Sequence, residues 1–183
     1  FDANGSCSQS DFSFLKELAA LHPVMLEQPF PPRRLDLCWA LKREFPQLRL
    51  CLDESITDMG DLITAHQLGA LDELNLKPGR VGGQLTAVQM MEYCRETGIP
   101  LWVGGMFETG VGRLANLRVA ARIPDAAAHD LSPSHRYFRE DILIHPIQMD
   151  TDGYVHLNRE APAAINENAV ERYLRQRIIL EKR

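Results

Sequence analysis

Three carboxylates and one lysine recur in this 183-residue chain at near-equal intervals, each close to the end of a short apolar run or opening the chain. Asp2 lies in "FDANG", Glu27 in "LEQP", Asp53 in "CLDES" and Lys77 in "LNLKPGRVGG". Acids gathered at one point cannot stay ionised together without a cation. Ligands that are all oxygen select a hard ion, and Mg²⁺ or Mn²⁺ is the expected one. Such a cation disfavours the charged form of a neighbouring ammonium, which suits a lysine beside it to general acid–base work. It can also hold a substrate carboxylate and stabilise the charge that develops when the carbon next to that carboxylate loses its proton. A small carboxylate is therefore the expected substrate. Taken singly, Glu27 or Asp53 could simply cap the element that follows, and Lys77 could be a surface charge. Their common register points to chemistry.

Positioning these residues requires alternating strands and helices. Strand-like runs at 23–29, 48–55, 71–77 and 99–105 alternate with helical spacing at 33–45, 58–68, 83–98 and 112–123. Asp58 is placed as an N-cap and Gly98 as a helix stop. A last short strand is predicted at 126–132 and an amphipathic helix with a basic end at 166–179. This alternation implies a parallel sheet, either open and doubly wound or closed as a barrel. Placing strand ends at Glu27, Asp53, Lys77, Gly105 and Ser132 gives steps of 26, 24, 28 and 27 residues. These approach the roughly 31 residues per unit of an eight-unit barrel, and Asp2 falls 25 residues before Glu27. The expectation is an α/β fold, an incomplete TIM-type (β/α) barrel with about six of eight units. Residues 1–158 form the partial barrel, and 159–183 a helical extension packing on it or on a missing capping domain. In such a barrel the C-terminal strand ends share one rim, where active sites are built.

Composition narrows the alternatives. A hydrophobic fraction of 45% and a charged fraction of 25% are those of a globular protein. A net charge of −5 and a pI near 5.7 argue against a nucleic-acid surface. No apolar run approaches the roughly 20 residues of a membrane span. Without a basic-then-apolar leader, and with Cys7, Cys38, Cys51 and Cys94 far apart, the expected setting is the cytoplasm, with free thiols. A homo-oligomer is compatible with all of this. "GVGRLA" (110–115) matches a dinucleotide fingerprint, with Asp130 20 residues past Gly110. Four residues separate it from the preceding strand glycines, where the fingerprint should turn directly off the strand. "KPGRVGG" lacks the GK[ST] of a P-loop. The histidines show no metal spacing, and Ser132, Ser134 and His135 lack a nucleophile elbow.

"FDANG", "LEQP", "CLDES", "LNLKPGRVGG", "GGMFETGVGR" and "HDLSPSHRYFRED" together resemble the barrel of the o-succinylbenzoate synthases and N-acylamino acid racemases of the enolase superfamily, over about residues 1–158. "KPGRVGG" and "GGMFETG" are the specific pieces; "LDES" and "EQP" are shared with muconate-cycloisomerase-like relatives. The resemblance implies Asp2, Glu27 and Asp53 as metal ligands and Lys77 as one of two active-site lysines, a lysine base with Mg²⁺ being a pattern of that superfamily. It implies Asn4 and Asn75 near metal and substrate, and Glu54 just outside the ligands. It also places the backbone of Gly105, Met106 and Phe107 along the substrate's carboxylate or acyl region. The expected reaction is dehydration by a synthase of menaquinone biosynthesis, with racemisation as the alternative. The family's other lysine sits in a Lys-x-Lys motif about one unit before Asp2, and the family carries an N-terminal α+β capping domain. Neither is in this sequence, so the 183 residues alone are expected to be inactive, and a non-enzymatic fragment is the alternative of another class. "DANG" and "SPSH" replace the family's usual "DANS" and "SASD", which bears on the finer substrate contacts.

Overall fold

A computed structural model of the protein describes residues 1–123, 126, 128–157 and 163–178. The chain divides into two compact units, Phe1–Gly104 with Val119–Asp130, and Gly105–Arg118 with Leu131–Arg183.

The first unit holds a four-stranded parallel sheet, β1 (Leu26–Glu27), β2 (Leu50–Leu52), β3 (Glu73–Leu76) and β4 (Leu101–Val103), in the order in which the chain makes them. Single parallel bridges extend it at both edges, Asp2 with Glu27 and Gly104 with Asp130. Strand side chains alternate between faces. The pairings Glu27 with Cys51, Cys51 with Glu73, and Asn75 with Trp102 therefore put Glu27, Asp53, Asn75 and Lys77 on one face. The other face carries Leu26, Leu50, Leu52, Leu74 and Leu76, all with no exposed surface. Helices α2 (Leu35–Glu44), α3 (Met59–Leu68) and α4 (Gln84–Thr97) follow the first three strands, and each buries one stripe: Leu37, Cys38 and Leu41, then Leu62 and Ala65, then Ala87, Met90 and Cys94.

The strands are shorter than the apolar runs that encode them, because ladder pairing covers only two to four residues of each. Asp58 caps α3 as expected, accepting the Asp61 N–H at 2.9 Å. Gly69 and Gly98 end α3 and α4 in the left-handed conformation that glycine adopts without a Cβ clash. A helix absent from the sequence reading, α1 (Phe12–Ala20), buries Leu15, Leu18 and Ala19. The strand expected at 126–132 reduces to the bridge at Asp130, two residues before Ser132; Ala127 lies outside the described residues.

The edge beyond β4 is tied by His129, whose Nδ1 accepts the Val103 N–H at 3.0 Å. The ring must keep Nδ1 unprotonated to do so, and burial holds its pKa below the ordinary histidine value. His129 lines a cavity of about 940 Å³ together with Arg49, Glu73, Arg122 and Asp130. That cavity is bounded by residues preceding the strands, such as Met25, Arg49 and Pro100, so it lies at the N-terminal strand ends, away from Glu27, Asp53 and Lys77. A depressed folded-state pKa contributes stability that is full above the unfolded value, about 6.5, and is lost as pH falls through the folded value. His129→Asn should flatten this acid-side loss while costing only about 1 kcal/mol at pH 8. Urea midpoints measured from pH 8 to 5 check it, and an unchanged slope would contradict it.

The second unit includes most of α5 (Gly110–Ala120) and α6 (Glu167–Tyr173). Its buried Asp141 accepts the N–H groups of Gly110 and Leu143, each at 3.0 Å, and the Ser134 hydroxyl. A Cβ on Gly110 would come within 2.6 Å of that carboxylate, so the position requires glycine. Gly110 and Gly112 both lie inside α5 and form no strand-to-helix turn, which removes the dinucleotide reading. Asn166 caps α6 through the Ala169 N–H at 3.1 Å. The helix ends at Tyr173, six residues before the predicted end. The boundary drawn at 158–159 and the tail at 179–183 lie outside the described residues. All four cysteines are free and buried, and burial pushes the Cys38 and Cys94 thiols up to about 12. Among the described residues no helix is long and apolar enough to cross a membrane.

Candidate active site

The C-terminal strand ends bring four of the expected residues into two hydrogen-bonded pairs. Glu27 closes β1 and is buried. Asn75, on β3 and equally buried, donates Nδ2 to Glu27 Oε1 at 2.7 Å across the sheet face. Asp53 follows β2, and its carboxylate receives Lys77 Nζ at 2.7 Å. Lys77 leaves the end of β3 with only 16% of its side chain exposed, so it is not a solvated surface charge.

Burial pushes the Glu27 carboxyl above its usual range, and the Asp2 and Asp53 carboxylates push the same way. The Asn75 hydrogen bond and the Lys77 charge oppose them. Glu27 therefore lies in a field that rewards added positive charge.

Asp2 joins Glu27 through the backbone: the Glu27 N–H donates to Phe1 O at 2.7 Å, and Ala3 N–H to Glu27 O at 3.0 Å. Its side chain is exposed and is held by Asn4, through the backbone N–H at 2.9 Å and Nδ2 at 2.8 Å. Asn4 itself has φ of 46°, a left-handed value that asparagine tolerates better than most residues. Glu54 is half-buried, with Oε2 enclosed and unpartnered. Among the described residues no three histidine, cysteine, aspartate or glutamate side chains stand close enough to share an ion.

Gly105, Met106 and Phe107 belong to the second unit. There Glu108 accepts the Met106 N–H at 2.9 Å, while the buried Arg113 donates to Met106 O at 2.9 Å and pairs with Glu108 at 3.0 Å. This fixes the backbone and leaves Phe107 80% exposed, edge-on to Tyr137 with ring centroids 5.0 Å apart.

Two residues in contact with Asp53 escaped the sequence reading. Arg80, in the turn after Lys77, forms a second ion pair with Asp53. Gln28, fully buried with φ of 34°, accepts the N–H groups of Asp53 at 3.0 Å and Ser55 at 3.1 Å. It donates to Phe30 O at 2.7 Å and Ser55 Oγ at 2.8 Å. The amide thus locks Asp53 to the end of β1 and holds its own strained backbone in place. Gln28→Leu would orphan several buried groups at about 1–3 kcal/mol each. A loss on the order of 3 kcal/mol or more is expected, read as a lowered urea midpoint; a change under about 1 kcal/mol would refute the locking role.

Consecutive parallel strands with acids, an amide and a lysine at their C-terminal ends define an α/β protein that assembles its site from strand ends. Residues 1–163 match the family described as enolase C-terminal domain-like. The chain belongs to that family, within the enolase superfamily. It is 42% identical over 143 residues to an o-succinylbenzoate synthase of Listeria innocua, covering 78% of this chain and 38% of the relative. It is 38% identical over 141 residues to an N-succinylamino acid racemase of an Amycolatopsis species, covering 77% and 38%. A crystal structure of an enolase superfamily member from Listeria innocua superposes with a TM-score of 0.83 at 36% identity, over 94% of this chain and 46% of that one. The chain spans less than half the length of these relatives.

Proposed function

We propose that the protein containing this chain removes the proton α to a substrate carboxylate with the help of a divalent cation, and that it does so as an o-succinylbenzoate synthase. The observation that carries the reading is the two pairs Glu27–Asn75 and Asp53–Lys77 on one face at neighbouring parallel strand ends. The strand order supports an arc of a (β/α) barrel, whose rim would hold the site.

The chemistry of the donors fits Mg²⁺ or Mn²⁺: all-oxygen ligands, a buried Glu27 whose ionised form is disfavoured by burial and by the Asp2 and Asp53 charges, and an enclosed unpartnered oxygen on Glu54. The three carboxylates stand apart and would have to draw together to share the ion. Asp2, Glu27 and Asp53 would hold the ion. When bound, it supplies a charge that anchors the substrate carboxylate and stabilises the second negative charge left by the departing proton. Lys77 is the group that moves the proton, and its Nζ lies 2.7 Å from the Asp53 carboxylate. Asn75 orients Glu27, while Gln28 fixes the backbone of Asp53. Arg80 balances the charge of Asp53 together with Lys77.

Racemisation is the second reading, favoured by the 38% identity to an N-succinylamino acid racemase. Dehydration needs one lysine, which can serve as base and then as acid. Racemisation needs a base on each face. Full-length protein assayed with Mg²⁺ on a synthase substrate and on N-succinylamino acids distinguishes them. Faster turnover of the synthase substrate is expected. Faster racemisation would replace the synthase reading, and no turnover of either would overturn both.

A further inference from the structure

We propose that Gly104 is a positioning residue: by having no side chain, it lets the Asn75 amide lie flat against the end of β4 and so holds Glu27 in its working orientation. The inference rests on reading Glu27 and Lys77 as the proton-abstraction site.

A Cβ built on Gly104 would fall 2.1 Å from Asn75 Oδ1, 2.9 Å from Asn75 Cγ and 2.8 Å from Lys77 Cε. Even a close Cα–H···O contact keeps carbon and oxygen about 3.3–3.6 Å apart, so the side chains, or the backbone beneath them, would have to move. Backbone conformation is not the reason for the glycine. Gly104 is absent from the glycines with positive φ, which are Gly5, Gly69, Gly82, Gly83, Gly98 and Gly153. The requirement comes from its neighbours.

The two neighbours differ in how freely they can yield. Lys77 Cε is near the end of a flexible chain and can swing aside. Asn75 is 4% exposed, and its Nδ2 is committed to Glu27. That bond also fixes the sense of the amide. Glu27 needs a donor, so Nδ2 faces it and Oδ1 faces Gly104, where it is buried with no hydrogen-bond donor. A methyl group at 104 would therefore evict the amide and break its bond to Glu27. Gly104 and Asn75 form a matched pair, one supplying the space that the other uses.

The test is a double-mutant cycle in the full-length protein with Gly104→Ala, Asn75→Ala and both together. Turnover is measured with Mg²⁺, and urea unfolding without it. Gly104→Ala alone should lower kcat on the order of 10²-fold, the effect of a displacement of about 1 Å, with KM changed little. In the Asn75→Ala background, where the space is already empty, the same methyl should cost at most about twofold, a difference far outside the usual additivity of independent sites. The urea midpoint should likewise fall with Gly104→Ala only when Asn75 is present. The urea cycle needs neither substrate nor metal, so it decides the pairing whatever reaction the site performs. Equal losses in both backgrounds, in kcat or in midpoint, would overturn the inference, as would a Gly104→Ala protein indistinguishable from wild type.

Discussion

Lys77→Ala in the full-length protein is expected to lower turnover by on the order of 10²–10⁴-fold, the range for a lost acid–base group, while leaving the fold intact. Lys77 leaves a paired strand at its C-terminal end, and its contacts come from its tip: the ion pair with Asp53 and the close approach to Gly104. Removing the tip leaves the apolar face of Leu74 and Leu76 undisturbed. Arg80 remains on Asp53, so that carboxylate keeps a cationic partner. Lys77→Arg separates two roles. A synthase that uses Lys77 mainly as a stabilising cation should keep part of its rate with arginine. A racemase should not, because arginine stays protonated at all working pH values. In a racemase, Lys77→Ala should also abolish exchange of the α-proton with solvent deuterium for one enantiomer and spare the other, through a base on the opposite face. Near wild-type turnover on both substrate types would return Lys77 to an ordinary charge.

Glu27→Gln should abolish measurable turnover by weakening Mg²⁺ binding on the order of 10²-fold or more, beyond the 10–100-fold cost of losing a group outside the ligands. Glutamine has nearly the same shape and keeps an oxygen able to accept from Asn75 Nδ2, so the hydrogen bond at 2.7 Å survives in kind. What changes is charge. In the native protein, burial and the carboxylates of Asp2 and Asp53 make the ionised form of Glu27 costly without added positive charge. The same shift gives a test of sign. A carboxyl with a raised folded-state pKa contributes stability that is full below its unfolded value, near 4.3, and is lost as pH rises through the folded value. Glu27→Gln should therefore be at least as stable as wild type at neutral pH when metal is withheld, and the advantage should vanish in acid. Calorimetric titration with Mg²⁺ and urea midpoints at pH 4 and 8 measure the two effects. Unchanged Mg²⁺ affinity would remove Glu27 from the ligands.

Part of this site could be read from the sequence because strand ends carry their own register. Glu27, Asp53 and Lys77 each terminate an apolar run, and parallel pairing in chain order places such ends side by side. Asn75 was legible only through resemblance to a family, since nothing in "LNLK" shows that its amide reaches across to Glu27. Arg80 was hidden for a related reason. It reads as one more charge in a glycine-rich turn, and only the path of that turn brings it back onto Asp53. Gln28 looks like a spacer between an acid and a proline, yet its burial and four hydrogen bonds make it the tie between β1 and the residues after β2. Gly104 is the extreme case, because its role is an absence of atoms that matters only where Asn75 and Lys77 pass. Helix α1 went unread because "SDFSFLKELAAL" buries only Leu15, Leu18 and Ala19, while Phe14 and Leu21 are exposed and blur the period.

The proposed reaction turns on one hydrogen, the one bonded to the carbon next to the substrate carboxylate. Full-length protein supplied with Mg²⁺ and a substrate carrying deuterium at that carbon should turn over more slowly than with the unlabelled substrate, and should release the deuterium to water, whether the reaction is dehydration or racemisation. Product formed at the same rate with the deuterium still in place would contradict proton abstraction at this site.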